Sequence, residues 1–367
     1  MYKENDLVRI AKRENNNKRK YLVVNALQGK HIPVSPEKAF DMFKALADIV
    51  KNSYKDEKLL LVGFAETATA IGSALAVELN SYYMQTTREI IDNVDYLFFT
   101  EAHSHATEQK LVKNDLDVVL DKVQRVVFVE DEVTTGNTIL NIIDIMEKIY
   151  GDKVKFSVAS LLNGMDTDSL KKYEQRDINV HYLVKTNHNE YTEIAEKFSG
   201  NGKYYPCNTA TPEVYVSTYE IAGALNARRC LRGIDYLNAC ETLWNEISKN
   251  IDIKENQNIL VIGTEEFMYP ALYIAKKIEE NSCTAKSHST TRSPIEVSLE
   301  EEYPLNKRFE LVSLYDEERK TFIYDIQEYD KVLIITDSKN IGENGFNSLV
   351  NAVCECGNGD INLIRWC

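Results

Sequence analysis

Short apolar runs, separated by helix-length amphipathic stretches, recur along this chain of 367 residues. The apolar runs are residues 21–24, 59–62, 96–99, 126–129, 156–162 and 181–184. Runs of this kind are typical of strands that are buried on both faces of a sheet. Residues 36–51 and 138–150 are amphipathic at helix length, and Ser35 is the expected N-cap of the first. The alternation predicts an α/β fold with a mainly parallel sheet.

Charge and composition exclude several classes of protein. Hydrophobic residues make up 44% of the chain and charged residues 27%, which is typical of folded proteins and argues against disorder. Lys and Arg number 43 against 57 Asp and Glu, so the formal net charge is −14. A negative field of this size repels a phosphate backbone, and we therefore expect no nucleic-acid partner.

Residues 59–79 are the one stretch long enough to suggest a membrane span. Glu66 lies inside it, and a carboxylate in the bilayer centre costs roughly 2.5–3.5 kcal/mol. We therefore predict a strand, a loop and a helix here, and no membrane partner. The seven cysteines form no spaced framework, and the N-terminal residues lack the apolar stretch of a secretory signal. The expected location is the cytoplasm.

The second half of the chain repeats landmarks of the first. Residues 60–66 resemble residues 260–266, Thr87-Arg88 recurs at 291–292, and residues 125–131 recur at 331–337. The order is kept, and the spacing stays between 200 and 206 positions. This regularity predicts a duplicated α/β domain, with the boundary in the turn-rich stretch 199–212. We assign residues 1–205 to the first domain and residues 206–367 to the second.

The strongest motif is residues 126–138, followed by an apolar helix. Four apolar residues predict a buried strand, Glu130 and Asp131 end it, and a Thr/Gly turn opens the helix. Backbone N–H groups of residues 134–138 would point at an anion at the helix N-terminus, where the helix dipole favours phosphate. The two acids can accept hydrogen bonds from a vicinal diol or hold a divalent cation. A phosphate beside a diol indicates a ribose 5-phosphate, although an ordinary strand-to-helix turn is the alternative interpretation.

These thirteen residues resemble the signature of type I phosphoribosyltransferases, which bind 5-phosphoribosyl 1-pyrophosphate (PRPP). More narrowly, the chain resembles a phosphoribosyltransferase family found near tellurite-resistance genes and fused to a C-terminal TRSP domain. Five segments carry this second resemblance, namely residues 29–34, 63–68, 86–89, 101–106 and 291–294. The resemblance spans nearly the whole chain and implies a type I phosphoribosyltransferase fold, and the repeated landmarks predict that a second, degenerate α/β domain follows it.

The family pattern and the chemistry together suggest a role for each motif. Glu130 and Asp131 would bind the ribose hydroxyls, and Mg²⁺ directly or indirectly. The 5-phosphate would lie in the turn formed by Thr134, Thr135, Gly136, Asn137 and Thr138. The pyrophosphate would lie on the loop formed by Gly63, Phe64, Ala65, Glu66 and Thr67. Arg88 would stabilise the leaving group, or form a surface ion pair with Glu89 or Asp92.

Three further groups of residues are candidates. Glu101, His103 and His105 lie where related transferases have a loop that closes over the reaction, and the imidazoles could move a proton. A zinc site or an idle histidine pair are the alternatives there. Lys30 and His31 would form a hood over the acceptor base, or serve only as a cap and turn. In the second half, the Thr-rich turn is missing; that half either packs against the first or binds another ligand through Glu266, Arg292 and Ser293.

The predicted reaction is phosphoribosyl transfer from PRPP to an unidentified nitrogenous base, with Mg²⁺ as cofactor and release of pyrophosphate, or its reverse. A non-catalytic PRPP sensor or scaffold and a PRPP-synthetase-like enzyme are the alternatives. A synthetase needs an ATP site, and the sequence has no Gly-rich nucleotide loop of the G-x-x-x-x-G-K type. Association into a homo-oligomer is left open.

Overall fold

The computed structural model describes residues 1–14, 19–100 and 108–367, with the side chains of Thr100 and Glu108 left out. These residues form two compact units, and each unit is discontinuous in sequence. The smaller unit consists of Phe40–Thr186 and Leu225–Ala239. The larger unit consists of Met1–Ala39, Asn187–Ala224 and Cys240–Cys367.

The helices and strands of the described residues are numbered in chain order. The helices are α1 (Glu4–Leu7), α2 (Pro36–Ser53), α3 (Thr69–Glu78), α4 (Lys113–Val119), α5 (Asn137–Tyr150), α6 (Thr167–Glu174), α7 (Tyr191–Glu196), α8 (Gly233–Asn250), α9 (Tyr269–Glu279) and α10 (Glu343–Cys354). The first nine strands are β1 (Val8–Lys12), β2 (Tyr21–Asn25), β3 (Leu59–Gly63), β4 (Tyr82–Gln85), β5 (Tyr96–Thr100), β6 (Glu108–Val112), β7 (Arg125–Val133), β8 (Lys155–Asn163) and β9 (Asn179–Lys185). The others are β10 (Lys203–Tyr205), β11 (Val216–Ile221), β12 (Leu231–Arg232), β13 (Asn258–Gly263), β14 (Thr284–Ser289), β15 (Lys307–Val312), β16 (Lys320–Tyr324), β17 (Lys331–Thr336) and β18 (Ile361–Trp366).

A six-stranded sheet forms the smaller unit, in the order β12-β4-β3-β7-β8-β9. All its neighbouring strands are parallel except β12, which pairs antiparallel with β4 at the edge. The central strands are continuous apolar runs; residues 126–129 of β7 have no exposed surface. Strands covered on both faces need this composition, which confirms the prediction of an α/β fold with a mainly parallel sheet.

The stretch 59–79 is a strand, a loop and a helix, as predicted. β3 is fully buried, and α3 follows after five loop residues with eight of its ten residues buried. A helix buried on all sides lies in a protein core, which explains its uniformly apolar composition. No helix within the described ranges is both long and apolar enough to cross a membrane.

Two of the predicted strands lie outside the parallel sheets. The run 96–99 belongs to β5, which pairs with β6 as an antiparallel hairpin, and the run 21–24 belongs to β2, which pairs antiparallel with β1. In β5, Leu97 and Phe99 are 3% exposed but Phe98 is 48% exposed. The expectation of burial on both faces is therefore wrong for β5, because a hairpin strand buries alternate side chains only.

The larger unit contains a five-stranded sheet in the order β11-β18-β17-β13-β14, and all its neighbouring strands are parallel. A three-stranded sheet, β10-β15-β16, and the β1-β2 hairpin complete it. Ala11 and Val24 of this hairpin pack in one core cluster with Ile295, Leu305 and Tyr324. The first 39 residues therefore contribute to the core of the larger unit.

The start of α2 is capped by a residue that the sequence pattern did not indicate. The hydroxyl of Ser35, the expected N-cap, donates to Glu279 Oε1 at 3.1 Å. The other carboxylate oxygen of Glu279 accepts from the backbone N–H of Glu37 at 3.2 Å. A carboxylate at a helix N-terminus accepts from a backbone N–H group that has no partner within the helix, and its negative charge is attracted to the positive end of the helix dipole. Glu279 therefore stabilises this end of α2.

Residues 225–239 are held in the smaller unit by an ion pair beside β12. Arg229 donates two hydrogen bonds of 2.7 Å to the carboxylate of Asp115 in α4. The backbone N–H of Cys230 donates to the same carboxylate at 2.8 Å. Burial opposes the charge of Asp115, but the hydrogen bonds from Arg229 and Cys230 outweigh burial and hold its pKa below the usual value.

Replacement of Asp115 by asparagine is expected to lower the free energy of unfolding by about 1–2 kcal/mol at pH 7. Because the folded-state pKa of Asp115 is lowered, its stabilisation is present above the unfolded pKa of about 3.9 and is lost as the pH falls through the folded value. Asp117→Asn in the same helix is the control: Asp117 makes an exposed i,i+4 pair with Lys113, of about 0.3–0.5 kcal/mol, and its Oδ1 atom also accepts from Tyr150 OH at 2.8 Å, a bond that asparagine can still accept. Urea unfolding at pH 7 and pH 3 measures both variants, and equal losses at pH 7 would contradict the anchoring role.

Candidate functional site

Strand β7 carries three consecutive acids, Glu130, Asp131 and Glu132, all of them half-buried. The strand continues beyond them, because β8 pairs with it as far as Val133 and Asn163. The prediction that the acids end the strand is therefore wrong, since β8 supplies backbone partners past them. Successive side chains of a strand point to opposite faces. Asp131 consequently lies on one face of the sheet, and its two neighbours lie on the other.

Asp131 is oriented by the loop that follows β3. Thr67 Oγ1 donates to Asp131 Oδ1 at 2.9 Å. Burial and the nearby charge of Glu132 raise the pKa of Asp131 to about 6, although the Thr67 hydroxyl works in the opposite direction. At neutral pH this carboxylate is mostly ionised but poorly solvated, and a hydroxyl donor from a ligand would relieve that cost.

Gly136 forms the turn between β7 and α5. Its φ of 71° lies in the left-handed region, and Tyr173 OH donates to its carbonyl oxygen at 2.6 Å. A Cβ atom at this position would lie 2.4 Å from Tyr173 OH and 2.5 Å from Met165 Cε. Only glycine fits, and α5 starts at the next residue, Asn137. The first N–H groups of this helix have no partner within the helix, and a helix N-terminus of this kind favours an anion.

A closed set of hydrogen bonds fixes the loop after β3. Ala65 N–H donates to Thr86 Oγ1 at 2.8 Å, and Thr86 Oγ1 donates to Gln109 Oε1 at 2.7 Å. Gln109 Nε2 donates to the Ala65 carbonyl oxygen at 2.8 Å, which closes the set. Phe64 N–H donates to Val129 O of β7 at 3.0 Å. The backbone of this loop is thus held in one conformation before any ligand is bound, which is how a preorganised anion site works.

Arg88 follows β4 at the same edge of the sheet and is half-buried. Its position is set by the preceding residue, because Thr87 and Lys110 exchange backbone hydrogen bonds of 2.9 and 3.2 Å. β4, β3 and β7 are neighbours in the sheet. Their carboxyl ends therefore bring together Arg88, loop 63–67, Asp131 and turn 134–138, as expected for a crevice outside the carboxyl ends of parallel strands.

Two other predicted site residues belong to the larger unit. Lys30 and His31 are buried in the larger unit, where Lys30 Nζ donates to the carbonyl oxygens of Glu265 and Thr290 at 3.0 Å each. The ring of His31 meets Tyr324 edge to face at 6.4 Å. Their role as a hood over the acceptor stays a prediction. Glu101, His103 and His105 lie outside the described residues.

Glu266, Arg292 and Ser293 lie together in the larger unit. Arg292 Nη2 is 3.5 Å from Glu266 Oε1, and both residues are largely withdrawn from solvent. The carbonyl oxygen of Ser293 accepts from Tyr324 OH at 2.7 Å. Any ligand at this group stays a prediction. Among the described residues, no three His, Cys, Asp or Glu side chains cluster as metal ligands would.

Two family models match this chain. The model of a phosphoribosyl transferase family matches residues 7–189, and that of the TRSP domain, which lies C-terminal to this transferase, matches residues 235–353. The chain belongs to this family of TRSP-containing phosphoribosyltransferases. Residues 190–234 lie between the two matched regions, and the last ten of them are part of the smaller unit.

Individual relatives of this phosphoribosyltransferase are distant. The adenine phosphoribosyltransferase of Brachyspira hyodysenteriae is 28% identical over 143 residues, which are 38% of this chain and 80% of that protein. The Trypanosoma brucei adenine phosphoribosyl transferase structure, in complex with AMP, pyrophosphate and ribose-5-phosphate, is 16% identical, with a TM-score of 0.36. The match covers 49% of this chain and 76% of that one. The structure of the Rhodothermus marinus adenine phosphoribosyltransferase is 13% identical, with a TM-score of 0.34. That match covers 50% of this chain and 96% of that one.

Sequence reasoning gave no role in the phosphoribosyltransferase site to Gln109, Tyr173, Asn163 and Lys185. Lys185 Nζ donates to Asn163 Oδ1 at 3.1 Å and also to the carbonyl oxygen of Met165, beside the Gly136 turn. Burial lowers the pKa of Lys185. Lys185 directly follows the predicted strand 181–184, and a cation at the carboxyl end of a strand is a signal that could have indicated it. Gln109 and Tyr173 carry no such signal, because their partners are distant in sequence.

Proposed function

We propose that this phosphoribosyltransferase moves the 5-phosphoribosyl group of PRPP to a ring nitrogen of a heterocyclic base and releases pyrophosphate. The observation that carries the proposal is the Asp131 carboxylate, which accepts from Thr67 in the loop after β3 and belongs to the strand that leads through the Gly136 turn into α5. An acceptor of hydroxyl hydrogen bonds beside a phosphate position matches a ribose 5-phosphate.

The proposed reaction is a substitution at the anomeric carbon. The bond from that carbon to the pyrophosphate oxygen breaks, a bond to the acceptor nitrogen forms, and the acceptor loses its N–H proton. Positive charge develops on the ribose as in glycoside cleavage, and negative charge develops on the leaving group. Loop 63–67 and Arg88 would bind the departing pyrophosphate, while Asp131 would hold the sugar and stabilise its positive charge.

Mg²⁺ is proposed as the cofactor on the chemistry of the acids. Carboxylate oxygens are hard ligands, and Mg²⁺ typically takes one or two carboxylates together with substrate phosphates and several waters. Asp131 and Glu130 point to opposite faces of β7, so one of them at most would bind the ion directly and the other through water. When bound, Mg²⁺ would neutralise charge on the pyrophosphate. The cytoplasm stays the proposed compartment, and a homo-oligomer stays open.

The experiment is a pyrophosphate-release assay with PRPP, Mg²⁺ and a panel of acceptors. The panel contains purines, pyrimidines and other nitrogen heterocycles, and includes adenine because one relative is an adenine phosphoribosyltransferase. We expect pyrophosphate and a nucleoside monophosphate in equal amounts with one acceptor, identified by mass spectrometry. PRPP binding in calorimetry without turnover on any acceptor would instead support a sensor, and ATP consumption with ribose 5-phosphate would support a synthetase.

A further inference from the structure

The loop after β13 in the larger unit is built like the loop after β3 in the smaller unit. Thr290 N–H donates to the Gly263 carbonyl oxygen at 3.1 Å, and Glu265 N–H donates to Thr290 Oγ1 at 3.0 Å. The smaller unit makes the same two bonds, at 2.9 and 2.8 Å, with Thr86, Gly63 and Ala65. Each unit thus ties its loop to the threonine after the neighbouring strand.

The likeness extends to the next element of each unit. Thr291 exchanges backbone hydrogen bonds of 2.8 and 2.7 Å with Phe322, in the second strand of the β15-β16 hairpin. Thr87 makes the same bridge to Lys110, in the second strand of the β5-β6 hairpin. In the larger unit, residues 313–319 connect β15 to β16. By position in the sequence, they correspond to residues 101–107, which connect β5 to β6 in the smaller unit.

One residue of this loop differs in a way that matters chemically. Glu265 stands where the smaller unit has Ala65, and it is 1% exposed with φ of 49°. Its Oε2 atom accepts from Arg292 Nε at 2.6 Å and from Arg319 Nη1 at 3.0 Å, and Ser313 Oγ donates to Oε1. The carboxylate of Glu265 thus accepts from two guanidinium groups and a hydroxyl. Proteins use the same set of donors to bind phosphate groups.

The acid that corresponds to Asp131 is also engaged by the chain itself. Asp337 stands 206 positions after Asp131, and its Oδ1 atom accepts from Tyr315 OH at 2.6 Å. Tyr315 belongs to the same segment 313–319 that supplies Ser313 and Arg319. The hydroxyl of Tyr315 therefore makes with Asp337 the bond that a sugar hydroxyl would make with such an acid.

We propose that the larger unit fills its own ligand site, with Glu265 in the place of a phosphate-type anion and Tyr315 in the place of a sugar hydroxyl. Glu265 is an internal counter-ion that keeps Arg292 and Arg319 from binding an external anion. Without its carboxylate, the two guanidinium groups and Ser313 form a site for a diphosphate-class anion. The assignment of Tyr315 to the place of a sugar hydroxyl rests on the function proposed for the smaller unit, whereas the anion site of Arg292, Arg319 and Ser313 rests on the contacts of the larger unit.

The test compares pyrophosphate binding by the full chain and by two variants. Glu265→Ala should bind one more equivalent of pyrophosphate than the wild type in calorimetry, and the extra equivalent should vanish in Glu265→Ala/Arg319→Ala. Pyrophosphate should also raise the melting temperature of Glu265→Ala by more than it raises that of the wild type, because a ligand stabilises the state that binds it. Glu266→Ala is the matched control: it removes the other buried carboxylate near Arg292, 3.5 Å from Nη2, but leaves Glu265 paired with both arginines. It should therefore gain no equivalent.

Two results would overturn the inference. One is binding of pyrophosphate in the larger unit of the wild type. Calorimetry would show it as one equivalent of pyrophosphate that is bound by the wild type and is lost in Arg319→Ala. The other is a folded Glu265→Ala that binds no more than the wild type. If Glu265→Ala does not fold, Glu265→Gln decides: a larger pyrophosphate-dependent melting shift than in Glu266→Gln supports the inference, and an equal shift overturns it. A wild type that binds no pyrophosphate at all would count against the proposed function of the smaller unit. The test of the larger unit would still work, because it measures only the additional equivalent that Glu265→Ala binds.

Discussion

Substitution of alanine for Gly136 is expected to lower the free energy of unfolding of the smaller unit by about 2–4 kcal/mol. A left-handed backbone costs a residue with a Cβ atom roughly 1–2 kcal/mol. The Cβ atom would also lie 2.4 Å from Tyr173 OH, which cannot retreat without losing its bond to the Gly136 carbonyl oxygen. Hydrogen exchange of β7 and α5 amides measures the loss in this unit directly.

Tyr173→Phe supplies the control for this substitution, because it removes the oxygen that the new Cβ atom would meet at 2.4 Å. Gly136→Ala should therefore cost less in the Tyr173→Phe background than in the wild type, and the remaining loss is the backbone part of about 1–2 kcal/mol together with the contact to Met165. Gly151, at the other end of the same helix, is no match for Gly136, because its φ of 66° is combined with ψ of −144°, a conformation essentially restricted to glycine. Equal losses for Gly136→Ala in the two backgrounds would show that the contact with the Tyr173 hydroxyl does not matter.

Replacement of Asp131 by asparagine is expected to weaken PRPP binding roughly 10- to 100-fold at pH 8, the value of one or two hydrogen bonds to a charged group. Calorimetry on the full chain measures this change. Glu132→Gln is the control: Glu132 lies on the opposite face of β7, so this variant should keep PRPP affinity within a few-fold. An unchanged affinity in Asp131→Asn would remove the main support for the proposed function.

The same substitution should stabilise the free protein above pH 6. Because the pKa of Asp131 is raised to about 6 in the folded state, folding favours its protonated form, and ionisation of this group destabilises the fold. The stability advantage of Asp131→Asn should be absent below pH 4, grow between pH 4 and pH 6, and stay constant above. Thermal unfolding across this range measures it. A stability difference between Asp131→Asn and the wild type that is the same at all pH values would contradict the raised pKa. In a Glu132→Gln background, the pH range over which this difference grows should shift downward, because the charge of Glu132 is one cause of the raised pKa of Asp131.

Sequence patterns alone located the central strands and the turn of the site. The apolar run 126–129 and the Thr/Gly turn predicted the start of β7 and both ends of α5 within a residue, although β7 continues past the acids to Val133. Burial on both faces and a glycine turn before a helix leave local signatures of this kind. The loop at 63–67 was indicated in the same way, by a glycine directly after a buried strand. These predictions depend on interactions within about a dozen residues of each other.

Sequence patterns could not show which distant residues meet. Gln109 ties down the Ala65 loop from 44 positions away, and Lys30 bonds to the carbonyl oxygen of Glu265 from 235 positions away. Period and composition report whether a side chain is buried, but they carry no information about its partner. For the same reason, the sequence did not show that residues 225–239 complete the sheet of the smaller unit.

The sequence by itself therefore determined the mainly parallel α/β class, the glycine turn between β7 and α5, and the membership of the chain in a transferase family. Only the tertiary structure decided that the acids divide between two faces of β7, that the first 39 residues belong to the larger unit, and that Glu265 is enclosed by two arginines. The physical reason is that local conformation follows from neighbouring residues, whereas the partner of a buried charge is set by which strands become adjacent.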